Sequence, residues 1–261
     1  MWTEAMARLV TSLAILFLPI YVSKELSEEQ AARPIVEEPL SEEENAELRR
    51  KLFKAVPGAS FVNATFLSLD DTKAGDAELA LAVRLSDLRR ISLWKTVVTD
   101  DGLAAFGRMP DLEWLSLDQT QIGSEGLKHL RPLTKLRKLS LWRTKVGDAG
   151  LEHLAALPNL ERLSLDGCQI TDAGIKLLSK SPSLLELSLY GCRLTDAATR
   201  DLAKLSHLQM LSVDGSKISD AGLGELSALK DLQTLRVRRT KVTNEGVRRL
   251  QTQLPKCKIE R

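Results

Sequence analysis

The apolar positions of the chain repeat with a period of 24 residues from about Ala64 to Arg261. Leucine or valine occupies the same place in each period, at Leu93, Leu117, Leu141, Leu165, Leu189, Val213 and Val237. Around each of these positions, alternating apolar and polar residues predict a short β-strand whose apolar side chains share one face. A segment with leucines at helical spacing, such as TDAGIKLL, follows each strand and predicts a short helix.

One such unit cannot bury its apolar face alone, so neighbouring units must stack. The expected fold class is α/β: a curved solenoid of about eight 24-residue repeats, with a parallel sheet inside and helices outside. Leu69 places a degenerate first repeat near Ala64, and Ile259, one period after Leu235, predicts a truncated closing strand. The predicted repeat domain is therefore residues 64–261.

The ends of the stack and of the helices also carry sequence signals. Residues 45–56 (NAELRRKLFKAV) predict a helix that covers the first repeat, within a helical cap of residues 45–63. Four apolar residues are available for this contact: Leu48, Leu52, Phe53 and Val56. Aspartates at the start of the outer helices, Asp148, Asp172 and Asp220, are expected to cap them.

The repeat pattern LxxLxLxxTxI resembles that of the leucine-rich-repeat family over roughly Ala64 to Arg261. The TDAGL stretch is similar to the ribonuclease-inhibitor-like and F-box-associated subclass, and to many bacterial repeat proteins. Where that class often has asparagine or cysteine after the strand, this chain has Thr96, Thr120, Thr144, Cys168, Cys192, Ser216 and Thr240. The resemblance implies a right-handed solenoid that binds a partner through its concave face.

The concave face is predicted to consist of three columns of side chains. The column before the middle leucine is Arg90, Trp114, Lys138, Arg162, Glu186, Met210 and Thr234. The column after the second leucine is Asp70, Trp94, Asp118, Trp142, Asp166, Tyr190, Asp214 and Arg238, and a serine column lies between the two. Exposed aromatic rings beside charges are typical of binding hot spots. Alternatively, the rings only cover neighbouring side chains, since Trp114 lies one strand (about 4.8 Å) from both Arg90 and Lys138 and could make cation–π contacts.

The candidate partner-binding residues follow from these columns. We expect Trp94, Trp114, Trp142 and Tyr190 to anchor a protein ligand, with Asp118 and Asp166 setting polarity. Arg90 and Lys138 flank Trp114, and Arg236, Arg238 and Arg239 would add a contact with an anion. From Lys230 to Arg261 the chain carries a net charge of about +7, which suits an anionic partner, an anionic membrane surface or an acidic segment of the same or another copy.

The first 23 residues contain an apolar run from Ala5 to Val22. It predicts either a signal peptide or an uncleaved membrane anchor, and Tyr21, where a cleavage site needs a small residue, favours the anchor. Either reading places the repeat domain outside the cytoplasm, because Arg8 is expected to stay inside. Residues 24–44 are predicted to form an acidic flexible linker, interrupted by Pro34 and Pro39.

The composition excludes several classes of protein and of functional site. A net charge of +2 in 261 residues is not that of a histone-like or strongly acidic protein. Three cysteines cannot form a disulfide framework, although Cys168 and Cys192, in adjacent repeats, are placed either to form one disulfide or to lie buried as free thiols. Three histidines give no metal-site pattern, and no nucleophile constellation or phosphate loop is present. We therefore expect no enzyme, no metal and no cofactor.

The sequence thus predicts a non-enzymatic protein-binding module, attached to the membrane or exported, that does not bind nucleic acid; its oligomeric state is open. Two other functions are consistent with parts of the chain. One is a self-associating structural envelope protein in which the acidic linker contacts the basic end. The other, suggested by the F-box-associated resemblance, is a substrate-binding adaptor of a ubiquitin-ligase-like complex, but no F-box-like segment precedes the repeats.

Overall fold

The computed structural model describes residues 40–261. Its strands are three or four residues long: β1 Ser60–Asn63, β2 Phe66–Ser68, β3 Arg90–Ser92, β4 Trp114–Ser116, β5 Lys138–Ser140, β6 Arg162–Ser164, β7 Glu186–Ser188, β8 Met210–Ser212, β9 Thr234–Arg236 and β10 Lys258–Glu260. They form one ten-stranded sheet in sequence order. From β2 onward every pair is parallel, and each residue lies opposite the residue 24 positions further along the chain.

The core lies behind this sheet. In each parallel strand the central residue points inward, and from β2 to β9 it is at most 3% exposed. The leucine or valine two positions later is fully buried throughout the series Leu69 to Val237. Since each leucine packs on the equivalent leucine of the next repeat, the apolar faces of all repeats merge into one continuous core. The predicted solenoid with a parallel inner sheet is confirmed.

The outer layer consists of short helices. The α-helices are α1 Glu42–Ala55, α2 Asp76–Ala82, α3 Leu151–Ala155, α4 Asp172–Leu178, α5 Asp196–Leu202, α6 Asp220–Glu225 and α7 Asn244–Gln253. Four segments are 3₁₀ helices: Gly102–Arg108, Glu125–Leu130, Asp148–Gly150 and Leu226–Ala228. The first three lack the side-chain cap that begins α4 to α7, and their bonds span three residues instead of four.

The aspartates do not cap their own helices, so that expectation is wrong. Each of α4 to α7 is capped by the preceding threonine or serine: Thr171, Thr195, Ser219 and Thr243. The aspartate accepts bonds from the next repeat instead, as Asp172 does from the backbone N–H (2.8 Å) and hydroxyl (2.6 Å) of Thr195. Asp148, Asp196 and Asp220 make the equivalent pair of bonds. The carboxylate therefore joins repeats, and the hydroxyl caps the helix.

Helix α1 covers the first repeat. It begins at Glu42, three residues before the predicted start, because Ser41 and Glu44 form a capping box. It ends at Ala55, so the predicted helical cap of residues 45–63 is wrong in its last part: Ser60–Asn63 form β1, which pairs antiparallel with β2. Leu48, Leu52 and Val56 are buried as expected. Phe53 is 44% exposed, so the expectation that it shields the core is wrong: its ring packs edge-on against Phe61 of β1 at 5.4 Å.

Within residues 40–261, none of the helices has the length and apolar character needed to cross a bilayer. The predicted signal or anchor at residues 1–23, and most of the acidic linker, lie outside the described residues.

Candidate functional site

A cleft of about 560 Å³ opens on the concave face where β2 to β6 begin. Its walls combine aromatic rings and charged groups of both signs: Phe66, Arg90, Glu113, Trp114, Arg137, Lys138, Glu161 and Arg162. A smaller hollow of about 200 Å³ shares Trp114, Lys138 and Arg162 and continues to Glu186 and Met210. The two form a groove that runs across the strands from β2 to β8.

Trp114 lies at the centre of this groove and is partly buried. It pairs with Arg90 on one side and Lys138 on the other in the strand register. Its ring meets that of Phe66 edge-on, with centroids 5.4 Å apart and planes at 75°. Among the described residues no cation lies over the Trp114 ring; Arg90 instead lies 5.2 Å from the centroid of Phe66. The expected cation–π contact of Trp114 is therefore replaced by one between Arg90 and Phe66.

The cations of the groove differ in how they are paired. Arg162 contacts Glu186 at 3.2 Å, and Arg137 contacts Glu161 at 2.5 Å. The hydrogen bond from Arg137 to Glu161 raises the pKa of the guanidinium. Within residues 40–261, neither Arg90 nor Lys138 forms a salt bridge with a carboxylate at 4.0 Å or less. Both cations beside Trp114 are thus available to an incoming anion.

The column after the second leucine, which follows the strands, does not line the groove. Two tryptophans there are partly covered by the next residue in the chain: Lys95 lies 4.4 Å from the Trp94 ring, and Arg143 lies 4.9 Å from the Trp142 ring. Tyr190 is 42% exposed, and its hydroxyl accepts a bond from Arg239 at 3.4 Å. Trp94 and Trp142 therefore contact neighbouring side chains, which is the alternative that the sequence left open for the aromatic rings.

Asp118 and Asp166 also belong to this column and bond within the solenoid. Asp118 Oδ1 accepts bonds from the Ser140 hydroxyl at 2.6 Å and the Trp142 N–H at 2.7 Å. Asp166 Oδ1 does the same with Ser188 and Tyr190. Each carboxylate holds the strand end of the next repeat, which is a structural role that the sequence analysis did not identify.

The basic C-terminal end is partly neutralised by one carboxylate. Glu260 contacts Arg236 at 3.3 Å, Arg238 at 2.7 Å and Lys258 at 2.7 Å. The hydrogen bond from Lys258 is the main cause that lowers the pKa of Glu260, and the nearby arginines add to it. Three cations of the basic C-terminal end therefore form ion pairs with a carboxylate of the same end.

The three cysteines are free and buried. Cys168 and Cys192 continue the column of buried threonines, and their thiols donate to the carbonyl oxygens of Leu141 and Leu165. Burial raises the pKa of Cys168, and raises that of Cys192 to about 12. Of the two alternatives open from the sequence, the structure has the free thiols.

No histidine lines the groove in the described part of the chain. His129 and His153 are partly buried on the outer layer, and burial lowers the pKa of His153, with Arg131 adding to the effect. No group of three histidine, cysteine or acidic side chains within residues 40–261 is arranged to hold a metal ion.

Sequence reasoning identified part of the groove. Arg90, Trp114 and Lys138 were predicted as binding residues and line it together, whereas Arg236 and its neighbours are at the far end of the sheet. Phe66 and three residues that precede strands, Glu113, Arg137 and Glu161, were missed. These three recur every 24 residues, so the column was visible in the sequence, but its contribution to the groove depends on side-chain direction.

Comparisons with known proteins agree with this architecture. Residues 156–179 match a family model described as Leucine Rich repeat. Two internalins of Listeria monocytogenes have similar crystal structures, each 23% identical to this chain. Internalin inlF has a TM-score of 0.55 over 69% of this chain and 49% of its own, and internalin C2 has 0.58 over 75% and 79%.

A leucine-rich-repeat protein of Leptospira interrogans is 20% identical, with a TM-score of 0.50 over 70% of this chain and 51% of its own. The chain thus spans about half the length of two of these three structures. No curated protein matches the sequence. The fold of residues 40–261 is therefore that of a leucine-rich-repeat solenoid.

Proposed function

We propose that this protein is a non-enzymatic binding module that takes a protein partner on its concave face. The observation that carries the proposal is the groove around Trp114, where an aromatic ring and two cations without carboxylate partners lie side by side. Aromatic residues and arginine contribute most to protein interfaces, because they bury a large area and bond at a small entropic cost. Tyr190, 42% exposed, lies outside this groove, in the column after the second leucine, and offers a second aromatic contact.

The location of the domain is part of the proposal. The apolar run from Ala5 to Val22 supports attachment to a membrane or export, with the repeats outside the cytoplasm. In that position the concave face would meet partners in the envelope or outside the cell. Protease accessibility of the repeats in cells stripped to an intact cytoplasmic membrane tests this: protection until that membrane is lysed would contradict it.

The binding function is tested by crosslinking the full-length chain in membranes of the source cells and isolating its partners. The variant Trp94→Ala/Trp114→Ala/Trp142→Ala is run beside it, once circular dichroism and thermal melting show that it is folded. We expect the variant to lose the partner, since loss of hot-spot side chains costs about 2 kcal/mol or more each.

The matched control removes exposed apolar side chains elsewhere. Phe53→Ala/Val97→Ala acts on residues that are 44% and 55% exposed, on helix α1 and on a loop. It should retain the partner. Equal recovery of partners with all three proteins would show that the concave aromatic residues do not form the binding surface.

A further inference from the structure

We propose that the groove around Trp114 recognises an extended acidic peptide, in which two carboxylates flank an apolar side chain. The proposal rests on the proposed function and specifies the chemistry of the partner. Arg90 and Lys138 each bind one carboxylate of the peptide, and Trp114 contacts the apolar side chain between them.

The spacing of the cations sets the spacing of the acids. Arg90, Trp114 and Lys138 are opposite one another on three consecutive parallel strands. Adjacent strands lie about 4.8 Å apart, so the two cations start about 10 Å from each other. Side chains alternate between the two faces of an extended peptide, so only residues i, i+2 and i+4 face the groove together, over a rise of about 13 Å. The long, flexible side chains of Arg90 and Lys138 span the remaining difference of about 3 Å, and the apolar residue at i+2 lies between the two carboxylates, opposite Trp114.

The aromatic centre of the groove is positioned before a ligand arrives. Phe66 holds Trp114 edge-on, and Arg90 in turn lies over the Phe66 ring. This packing limits the rotation of the rings, so that little side-chain entropy is lost on binding. Beyond Trp114 the groove continues past Arg162 toward Met210, which gives an extended chain room to cross several strands.

The acids of the groove favour a short acidic motif over a long polyanion. Glu113 and Glu161 line the cleft, and Glu186 lines the hollow that continues it. A nucleic acid or anionic polymer along the groove would bring its charges next to these carboxylates, and like charges at contact cost free energy. A peptide with two acids at the right spacing meets the cations and avoids the carboxylates.

The probe is a fluorescein-labelled decapeptide that contains Glu-Ala-Leu-Ala-Glu between glycine and serine residues, with Gln-Ala-Leu-Ala-Gln as its neutral counterpart. Fluorescence anisotropy is measured on the full-length chain in a mild detergent, which keeps the apolar N-terminal segment in solution. We expect the acidic peptide to bind and the neutral one to bind at least about tenfold more weakly, since two exposed charge-assisted bonds are lost.

Two matched variants locate the site. Arg90→Gln/Lys138→Gln removes both cations of the groove, and we expect it to weaken binding of the acidic probe about tenfold. Lys176→Gln/Lys180→Gln removes the same charge from two exposed lysines on and just after helix α4, on the outer layer. It should bind within about twofold of the unchanged chain, because exposed charges at a distance are screened.

Three results would overturn the proposal. They are equal binding of the acidic and neutral peptides, equal losses in the two double variants, and a deletion of residues 24–39 that tightens probe binding more than tenfold. The last result would show that the acidic segment of the chain itself fills the groove. Crosslinking with Arg90→Gln/Lys138→Gln as an added variant separates failure of the acidic motif from failure of the binding function. A partner lost on Trp94→Ala/Trp114→Ala/Trp142→Ala but kept on Arg90→Gln/Lys138→Gln leaves the concave face as the binding surface and rejects the acidic motif.

Discussion

Aspartate side chains link neighbouring repeats at two levels of the solenoid. Just after the strands, Asp118 and Asp166 hold the hydroxyl and backbone N–H of the following repeat. On the helix side, Asp172 and Asp196 bond in the same way to Thr195 and Ser219. Hydrogen bonds to charged groups contribute roughly 1.5–3 kcal/mol when they are shielded from solvent, and less at exposed sites. These contacts fix the stacking of repeats whose strands are only three residues long.

A glycine column makes room for the helix-side carboxylates. A Cβ at Gly222, in helix α6, would overlap Oδ1 of Asp196 and lie 3.0 Å from its Cα. We expect Gly222→Ala to displace this carboxylate from Ser219 and to lower the free energy of unfolding by about 1–3 kcal/mol. Urea denaturation measures the change.

Gly224, two residues further in the same helix, is the matched control. A Cβ there would meet nothing within 4 Å. Gly224→Ala should leave stability unchanged or raise it by about 0.5–1 kcal/mol, because alanine loses less backbone entropy in a helix. If both variants lost the same stability, the space beside Asp196 would not be the reason for glycine in this column.

Helix α1 closes the open end of the core. Without it, the apolar faces of Leu67 and Leu79 in the first repeat would meet water, since no repeat precedes them in the described residues. The capping box of Ser41 and Glu44 starts the helix, and Leu48 and Leu52 face the repeat. The helix is therefore a part of the folded domain and not of the acidic segment before it.

Two adjacent residues of α1 test this role. Leu52 is fully buried, whereas Phe53 is 44% exposed. Leu52→Ala should lower the free energy of unfolding by about 2–5 kcal/mol, since it leaves a cavity against the first repeat. Phe53→Ala should cost less than about 1 kcal/mol, as is usual for exposed positions. Similar losses in urea denaturation would mean that α1 does not pack on the core as described.

At the scale of the whole molecule, titratable groups limit stability on both sides of neutral pH. On the acid side, hydrogen bonds from Thr243, Arg248 and Lys258 lower the pKa values of Asp220, Glu245 and Glu260 respectively. A carboxyl group with a lowered pKa in the folded state stabilises the protein above its unfolded pKa, and this contribution is lost as the pH falls. On the alkaline side, burial raises the pKa of Cys192 from 9.0 to about 12.

The loss of stability at alkaline pH follows from a pKa that is raised in the folded state, whereas the pKa values of the carboxyl groups are lowered. Above pH 9 the unfolded chain releases the Cys192 proton while the folded chain retains it, so stability falls as the pH rises toward 12. We expect a plateau of the free energy of unfolding between about pH 7 and 9, because the lowered pKa of His153 reduces stability once the unfolded chain binds a proton there below about pH 6.5. We expect a loss of about 2 kcal/mol from Cys192 between pH 9 and 10.5. Urea midpoints measured across this range give the profile.

The control for the alkaline limb is Cys192→Thr, which places the residue of Thr144 and Thr240 at the equivalent position. This variant has no thiol to ionise at position 192, so it should lose less stability than the unchanged chain above pH 9. If the free energy of unfolding of Cys192→Thr fell as steeply above pH 9 as that of the unchanged chain, groups other than Cys192 would cause the alkaline loss of stability.

The sequence alone determined the period and the direction of the strands from β2 to β10, because a 24-residue repeat of leucines leaves one way to bury them: stacked in parallel register. Strand β1, which lies outside the repeat and pairs antiparallel with β2, was not predicted. Only the tertiary structure decided what the polar side chains do. Whether an aspartate caps its own helix or bonds the next repeat, and whether Arg90 covers Trp114 or Phe66, depends on distances between repeats that are adjacent in space but 24 residues apart. Apolar burial follows residue type and spacing, whereas hydrogen bonds and ion pairs also require direction, which is set when the repeats pack together.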